Sequence, residues 1–147
     1  MRPLVTGYRL LATGYQERRD LVTSFHSVIL GVHNAVAANR GLAVTYSRGE
    51  STVDVTAVPG RTVVTSDDGS GVTVKARRRD WIVKAAVLVL DGEQLLPAVG
   101  DQIRLAVGES VEVYEVQRLA GEAHYYAQDD LGQVLRIHTR QIDTETA

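Results

Sequence analysis

Cysteine is absent from the chain, so disulfide staples and thiolate metal sites are both excluded. Aromatic residues are nearly as scarce: one Trp, one Phe and six Tyr make up 5% of the 147 residues. Val, Leu, Ile and Ala therefore carry the core, within a hydrophobic fraction of 44% that is ordinary for a globular chain. So few rings also argue against a single-strand nucleic-acid platform, which stacks bases on several aromatics of one face. No apolar run reaches the roughly 18 residues of a membrane span, and MRPLVTGYRLLATGY lacks the continuous apolar core of a signal peptide. The expected setting is the cytosol, with no membrane partner. A net charge of -2 leaves little for gripping nucleic acid by bulk electrostatics.

That charge is unevenly spread. Residues 1–41 hold Arg2, Arg9, Arg18, Arg19 and Arg40 against Glu17 and Asp20, a balance of +3 that leaves -5 for the remainder. Residues 1–14, with Pro3, Gly7 and Gly14, read as an extended arm that orders when something docks on it. From Tyr15 to Arg40 the period is helical, and Leu21, Phe25, Val28, Ile29, Val32 and Val36 form one apolar stripe. Such a helix is roughly 35 Å long. It must bury the stripe against its own domain or a neighbouring subunit. Gly31 weakens it by about 1 kcal/mol relative to Ala, and Gly41 stands where a left-handed cap would end it.

After Gly41 the period falls to two. Leu42, Val44 and Tyr46 alternate with small polar neighbours, Arg48-Gly49 turns the chain, and Val53, Val55 and Ala57 continue on a second strand. Pro59-Gly60 is expected to break that strand before another over Arg61–Ser66. A loop, Asp67–Gly71, leads to a strand over Val72–Arg78 and a short extended piece over Asp80–Val83. Lys84–Leu90 fits either a helical turn or a buried strand. Pro97–Asp101 reads as a turn, followed by strands over Gln102–Val107, Val111–Leu119, Ala123–Ala127 and Gln133–Ile142. Seven or eight short strands with close turns predict a sandwich or barrel, and the length favours a small barrel. The expected fold is mainly β: an arm and one long amphipathic α-helix (1–41) ahead of a small antiparallel β-barrel domain (42–147).

No constellation for chemistry emerges. Glycine-rich phosphate loops and a nucleophile elbow are both missing. Asp101, Glu112, Glu115, Asp129 and Asp130 are too scattered to nominate an acid/base pair. His26 and His33 stand seven apart, whereas paired metal ligands on a helix are about three or four apart. They read as polar residues flanking a packing face. SDDGSG lacks the alternating oxygens and closing Glu of a calcium loop, so it reads as a solvated turn. In Arg77-Arg78-Arg79, strand alternation puts Arg77 and Arg79 on one face and Arg78 on the other. That face suits inter-subunit salt bridges or a phosphate contact. Trp81, the only tryptophan, reads as a core or interface anchor. The chain is not expected to be an enzyme, and no metal or cofactor is implied.

One ordered set of segments is more specific: Arg79-Asp80-Trp81-Ile82-Val83, Ala85-Ala86-Val87-Leu88, Pro97 with Gly100-Asp101-Gln102-Ile103, Val113-Tyr114-Glu115-Val116, and Leu135-Arg136-Ile137-His138-Thr139. Spanning roughly residues 42–142, the set resembles the small head–tail joining proteins, of connector or stopper type, of long-tailed bacteriophages and prophages. The resemblance implies a β-barrel subunit assembling as a homo-oligomeric ring beneath the portal once DNA is packaged. Its partners would be a portal or adaptor protein on one side and tail proteins on the other. Double-stranded DNA would pass through the lumen without specific binding. The implied location is the virion neck, with assembly in the bacterial host cytoplasm. Candidate interface residues are Leu21, Phe25, Val28 and Val32 on the stripe, Asp67 and Asp68 facing the lumen or the next ring, and Arg77 and Arg79. A tail-terminator or tail-completion ring and a nucleic-acid-binding barrel of OB or SH3 type are the alternatives.

Overall fold

A computed structural model describes residues 27–28, 30–67, 69–119 and 121–147. Residues 27–28 and 30–40 form helix α1, which stops at Arg40 as its periodicity predicts. The arm 1–14 and the expected first turns of the helix, 15–26, lie outside the described residues. The Gly41 N–H still donates to Ala37 O at 2.8 Å, but the left-handed cap expected at Gly41 does not form, since its φ is not positive. Glycine is required there for space. A Cβ would stand 2.2 Å from Ala37 O and 2.6 Å from Thr56 Cγ2, so the helix end passes tight against the barrel.

Nine strands follow: β1 (Leu42–Arg48), β2 (Ser51–Asp67), β3 (Thr73–Lys84), β4 (Val89–Leu90), β5 (Glu93–Gln94), β6 (Gln102–Val107), β7 (Ser110–Val116), β8 (Tyr125–Ala127) and β9 (Val134–Thr146). A single 3-10 turn, Ala85–Val87, joins β3 to β4 and settles the ambiguity at Lys84–Leu90 in favour of a turn and then a strand. The main sheet has the order β3-β2-β1-β6-β7-β9-β8, and β3 also pairs with β9. That last pairing closes β1, β2, β3, β9, β7 and β6 into a six-stranded antiparallel barrel, the architecture the alternation predicted.

Two expected breaks are absent. β2 runs unbroken through Pro59-Gly60, and the pieces over Val72–Arg78 and Asp80–Val83 are one strand. The reason is a change of partner along each strand. β2 pairs with β1 as far as Ala57, then with β3 from Val58 onward. By residue 59 one edge of β2 is open, and an open edge is where a strand tolerates the missing N–H of proline. The turn between β1 and β2 is Gly49-Glu50, one residue later than expected, with Arg48 paired to Ser51 and Gly49 at φ 60°.

Each barrel strand sends an alternating pair inward: Val44 and Tyr46, Val55 and Ala57, Trp81 and Val83, Ile103 and Leu105, Tyr114 and Val116, Leu135 and Ile137. Trp81 is the centre of this core, edge-on to Tyr114 at 5.4 Å between ring centres. Among the described residues, the helix does not contribute its apolar stripe to it. Val28 and Val32 remain 60% and 59% exposed, and Val36 is exposed as well. α1 instead turns Leu30, His33 and Ala37 inward, spaced by three and four residues. His33 is only 8% exposed, so it lies within the packing face rather than beside it. Its pKa is lowered by burial and by the nearby Lys84 charge.

Gly41→Ala is expected to destabilise the protein by about 1–3 kcal/mol, the usual penalty for overpacking, read as a lower urea midpoint. An unchanged midpoint would mean that the helix end does not bear on β2.

Candidate interaction surfaces

The motif residues of the chain turn out to be wired to one another across its strands. Asp80, on β3, is fully buried. It accepts hydrogen bonds from Thr62 Oγ1 on β2, from Arg136 Nε at 2.8 Å and from His138 Nδ1 at 2.9 Å, both on β9. Backbone register explains the convergence, since Asp80 lies opposite Gly60 on one side and His138 on the other. Gly60 leaves room for the Arg136 guanidinium, whose Nη2 would be 3.1 Å from a Cβ there and donates to Arg61 O at 3.3 Å. Thr139 adds a bond from its hydroxyl to Arg79 O at 2.8 Å. Burial pushes the Asp80 carboxyl up, but Thr62, His138 and Arg136 together hold it below its ordinary 3.8.

Asp101 plays the same part across the barrel. Nearly buried, it accepts from Tyr46 Oη, from Arg48 Nε at 2.9 Å and Nη2 at 2.8 Å, and from Ala98 N at 2.9 Å. Its carbonyl accepts from Val116 N at 2.8 Å. The Gly100-Asp101 turn therefore pins β1, β6 and β7 together. Burial again raises the carboxyl, and the Arg48 and Tyr46 bonds overcome it, leaving the pKa lowered. Burial and then the bond to Asp101 raise the Tyr46 hydroxyl well above its usual range.

What these staples hold out to solvent are three surfaces. The first is the exposed stripe of α1, with Val28 and Val32. Leu21, Phe25 and Ile29, predicted on the same stripe, lie outside the described residues. The second is a ribbon. β1 leaves β2 at Ala57 and β9 leaves β3 at Arg79, so the hairpin from Arg61 to Arg78 is paired only within itself. Val63, Val72 and Val74 are exposed along it. Asp67 is exposed at its tip, where its carboxylate accepts from Gly69 N at 3.0 Å. Asp68 lies outside the described residues. Arg77 is placed by its backbone opposite Val63.

The third surface is a fork. β3 and β9 are paired from Lys84 and Val134 to Arg79 and Thr139, then part. The gap is a cleft of about 390 Å³ lined by Arg61, Arg78, Arg79, Tyr114, Arg140 and Gln141. Arg61 and Arg79 are direct cross-strand partners, and the Arg79 guanidinium stands 5.7 Å from the ring centres of both Trp81 and Tyr114. The Tyr114 hydroxyl donates to Glu112 at 2.5 Å, and burial followed by that bond pushes its pKa up to about 12. Among the described residues, none of the four arginines has a carboxylate within 4.0 Å. Arg78 and Arg79 both line the cleft although they alternate on the strand, because the cleft wraps round the open edge of β3. Arg61 and Arg140 were not nominated from the sequence. They lie far from Arg79 along the chain, and only the pairing of β2, β3 and β9 gathers them.

Among the described residues no group of three or more His, Asp or Glu gathers to hold a metal, and no helix is long and apolar enough to cross a membrane. His26, the expected companion of His33, lies outside the described residues. The small closed barrel thus presents an apolar helix face, a ribbon paired only within itself and an arginine-lined fork. The family model of the phage head-tail joining protein matches residues 20–146, and the chain belongs to that family. It is a phage structural protein of the head–tail junction, in a family that is not typically enzymatic. No curated protein matches it.

Removing the Asp80 carboxylate with Asp80→Ala strands a buried imidazole and a half-buried guanidinium, and about 3 kcal/mol of stability is expected to go with it, read by denaturant titration. Asp80 and Asp101 are both held below 3.8 in the fold, so the unfolded chain binds more protons as the pH falls. Their contribution is complete above about pH 5 and drains away as the pH drops through the folded-state values. Asp101→Asn is expected to lower the neutral plateau and to flatten this acid limb. An acid limb as steep as the wild type's would remove Asp101 from the account.

Proposed function

We propose that the chain is the subunit of a ring in the head–tail connector, bridging the portal or adaptor of a DNA-filled head to the tail. Family membership across residues 20–146 is the observation that carries this reading. The exposed stripe of α1 supports it, because a lone copy leaves Val28 and Val32 in water and a docked copy covers them. On this reading residues 1–41 act as the docking arm and helix, and the barrel supplies the ring wall. The acid excess of residues 42–147, -5 in all, lets DNA slide past the wall rather than adhere to it. Subunits gather in the host cytoplasm and end in the virion neck.

Inactivating the gene is expected to leave DNA-filled heads and separate tails, seen by electron microscopy. A Val28→Asp/Val32→Asp variant is expected to reproduce that defect, cutting tailed particles at least tenfold, while its thermal midpoint stays within a few degrees of wild type. Normal yields of tailed particles without the protein would overturn the reading. Imaging that finds the subunit on the tail side alone would make it a tail-completion ring instead.

A further inference from the structure

The ribbon of β2 and β3 carries most of its charge at its two ends. Asp67 and Asp68 stand at the tip and Arg61, Arg77, Arg78 and Arg79 toward the root, with Lys75, cross-strand from Thr65, the one charge between them. The root is also where the fork opens, with Arg61, Arg78, Arg79 and Arg140 lining one cleft; among the described residues none of them forms an ion pair within 4.0 Å, and the nearest acidic neighbour by register is Glu115, cross-strand from Arg140. Guanidinium groups that line one cleft with no ion pair of their own repel one another, and an incoming carboxylate relieves that repulsion while accepting their forked donors.

The molecule cannot supply that anion from its own ribbon tip. Arg61 and Asp67 are six residue steps apart on one strand, roughly 20 Å at the usual rise, and the β2–β3 ladder runs in unbroken register from Val58 with Ile82 to Asp67 with Thr73. A ladder in unbroken register does not fold back onto its own base. A second copy has no such constraint. We infer that the acidic tip of one subunit's ribbon docks into the arginine fork of the next subunit, so that the ring is locked head to tail.

The rest of the ribbon suits this use. Val63 toward the root and Val72 and Val74 near the tip are exposed, and both outer edges of the hairpin have unpaired backbone between residues 61 and 78. An exposed apolar ribbon with open edges is an aggregation hazard in a free monomer and a contact surface in an assembly. Contact between two different patches on identical subunits is heterologous, and such contacts close into rings when the rotation allows. The fork also fits a carboxylate better than a duplex. Its 390 Å³ notch gathers a few cations at one point, whereas a DNA track needs cations spread along a surface, and residues 42–147 as a whole are acidic. The inference rests on the ring reading above and names the contact between neighbours.

The absence of cysteine makes a direct test available, because an introduced pair is the only pair. Particles are assembled with full-length Ser66→Cys/Gln141→Cys protein, which keeps every charge of the tip and the fork. Non-reducing electrophoresis is expected to show a ladder of covalent multimers that collapses with reductant and is missing from each single-cysteine variant. Particles that contain the protein but give no ladder would overturn the interlock and leave the connector reading standing. Wild-type particles that lack the protein altogether would sink the connector reading itself. A charge swap gives a second route. Asp67→Arg and Arg140→Asp are each expected to lower the yield of tailed particles at least tenfold, and the double variant to recover most of it. Two harmless single variants, or a double variant no better than either, would refute the docking. So would an Arg61→Gln/Arg140→Gln protein that assembles normally but loses salt-sensitive binding of a short duplex, because the fork would then be a phosphate site.

Discussion

Closure of the barrel depends on one buried carboxylate. Asp80 sits on the β3–β9 seam with no exposure to water, and its donors come from both flanking strands. A buried carboxylate is costly unless its lone pairs are filled. Only one register of β2 against β3, and of β3 against β9, brings Thr62, Arg136 and His138 to it together. Slipping either ladder by one residue would turn these side chains to the opposite face. The Asp80 cluster therefore fixes which edges meet when the sheet closes, while Trp81 beside it fills the centre.

Asp101 does for the β1–β6–β7 side what Asp80 does for the seam. Its bonds to Tyr46 and Arg48 hold the far strand, and its backbone joins the turn to Val116. With the barrel staked at two places, strands longer than the barrel wall are free to continue beyond it. β2 and β3 do so together, and β9 departs on another course with β7. Ribbon and fork are two results of the same geometry: strands leave a closed barrel in different directions, and a gap opens where they part.

A protein of a head–tail junction works through its outside. The helix stripe, the ribbon and the fork are all features that a solitary globular domain would cover or neutralise. Burying His33 while leaving Val28 and Val32 bare makes sense when the second face of α1 belongs to a partner. The buried staples tie the barrel strands to one another and so fix where these surfaces emerge.

Much of the fold was legible along the chain. Alternation at Val44 and Tyr46, at Ile103 and Leu105 and at Leu135 and Ile137 marked strands with an inward face, and the helix end at Arg40 followed from its period. The helix orientation was not legible, because an apolar stripe indicates a face to be buried without saying by what. Pro59-Gly60 misled for a related reason: proline stops a strand in mid-sheet and is harmless at an open edge, and openness depends on a partner strand elsewhere in the chain. The motif segments around Asp80, Asp101 and Arg136–Thr139 were visible as residues, though not as the two clusters they build.

Local periodicity and composition by themselves determined the class of fold, the helix-then-barrel order and the lack of cysteine chemistry, because those properties depend on neighbours a few residues apart. Tertiary structure alone decided that Asp80 meets Arg136 and His138, that Arg61 and Arg140 join Arg79 at one fork, and that the valines of α1 stay exposed. Each of those outcomes depends on which strand lies beside which, and strand pairing brings together residues separated by dozens of positions, beyond the reach of any pattern read along a single segment.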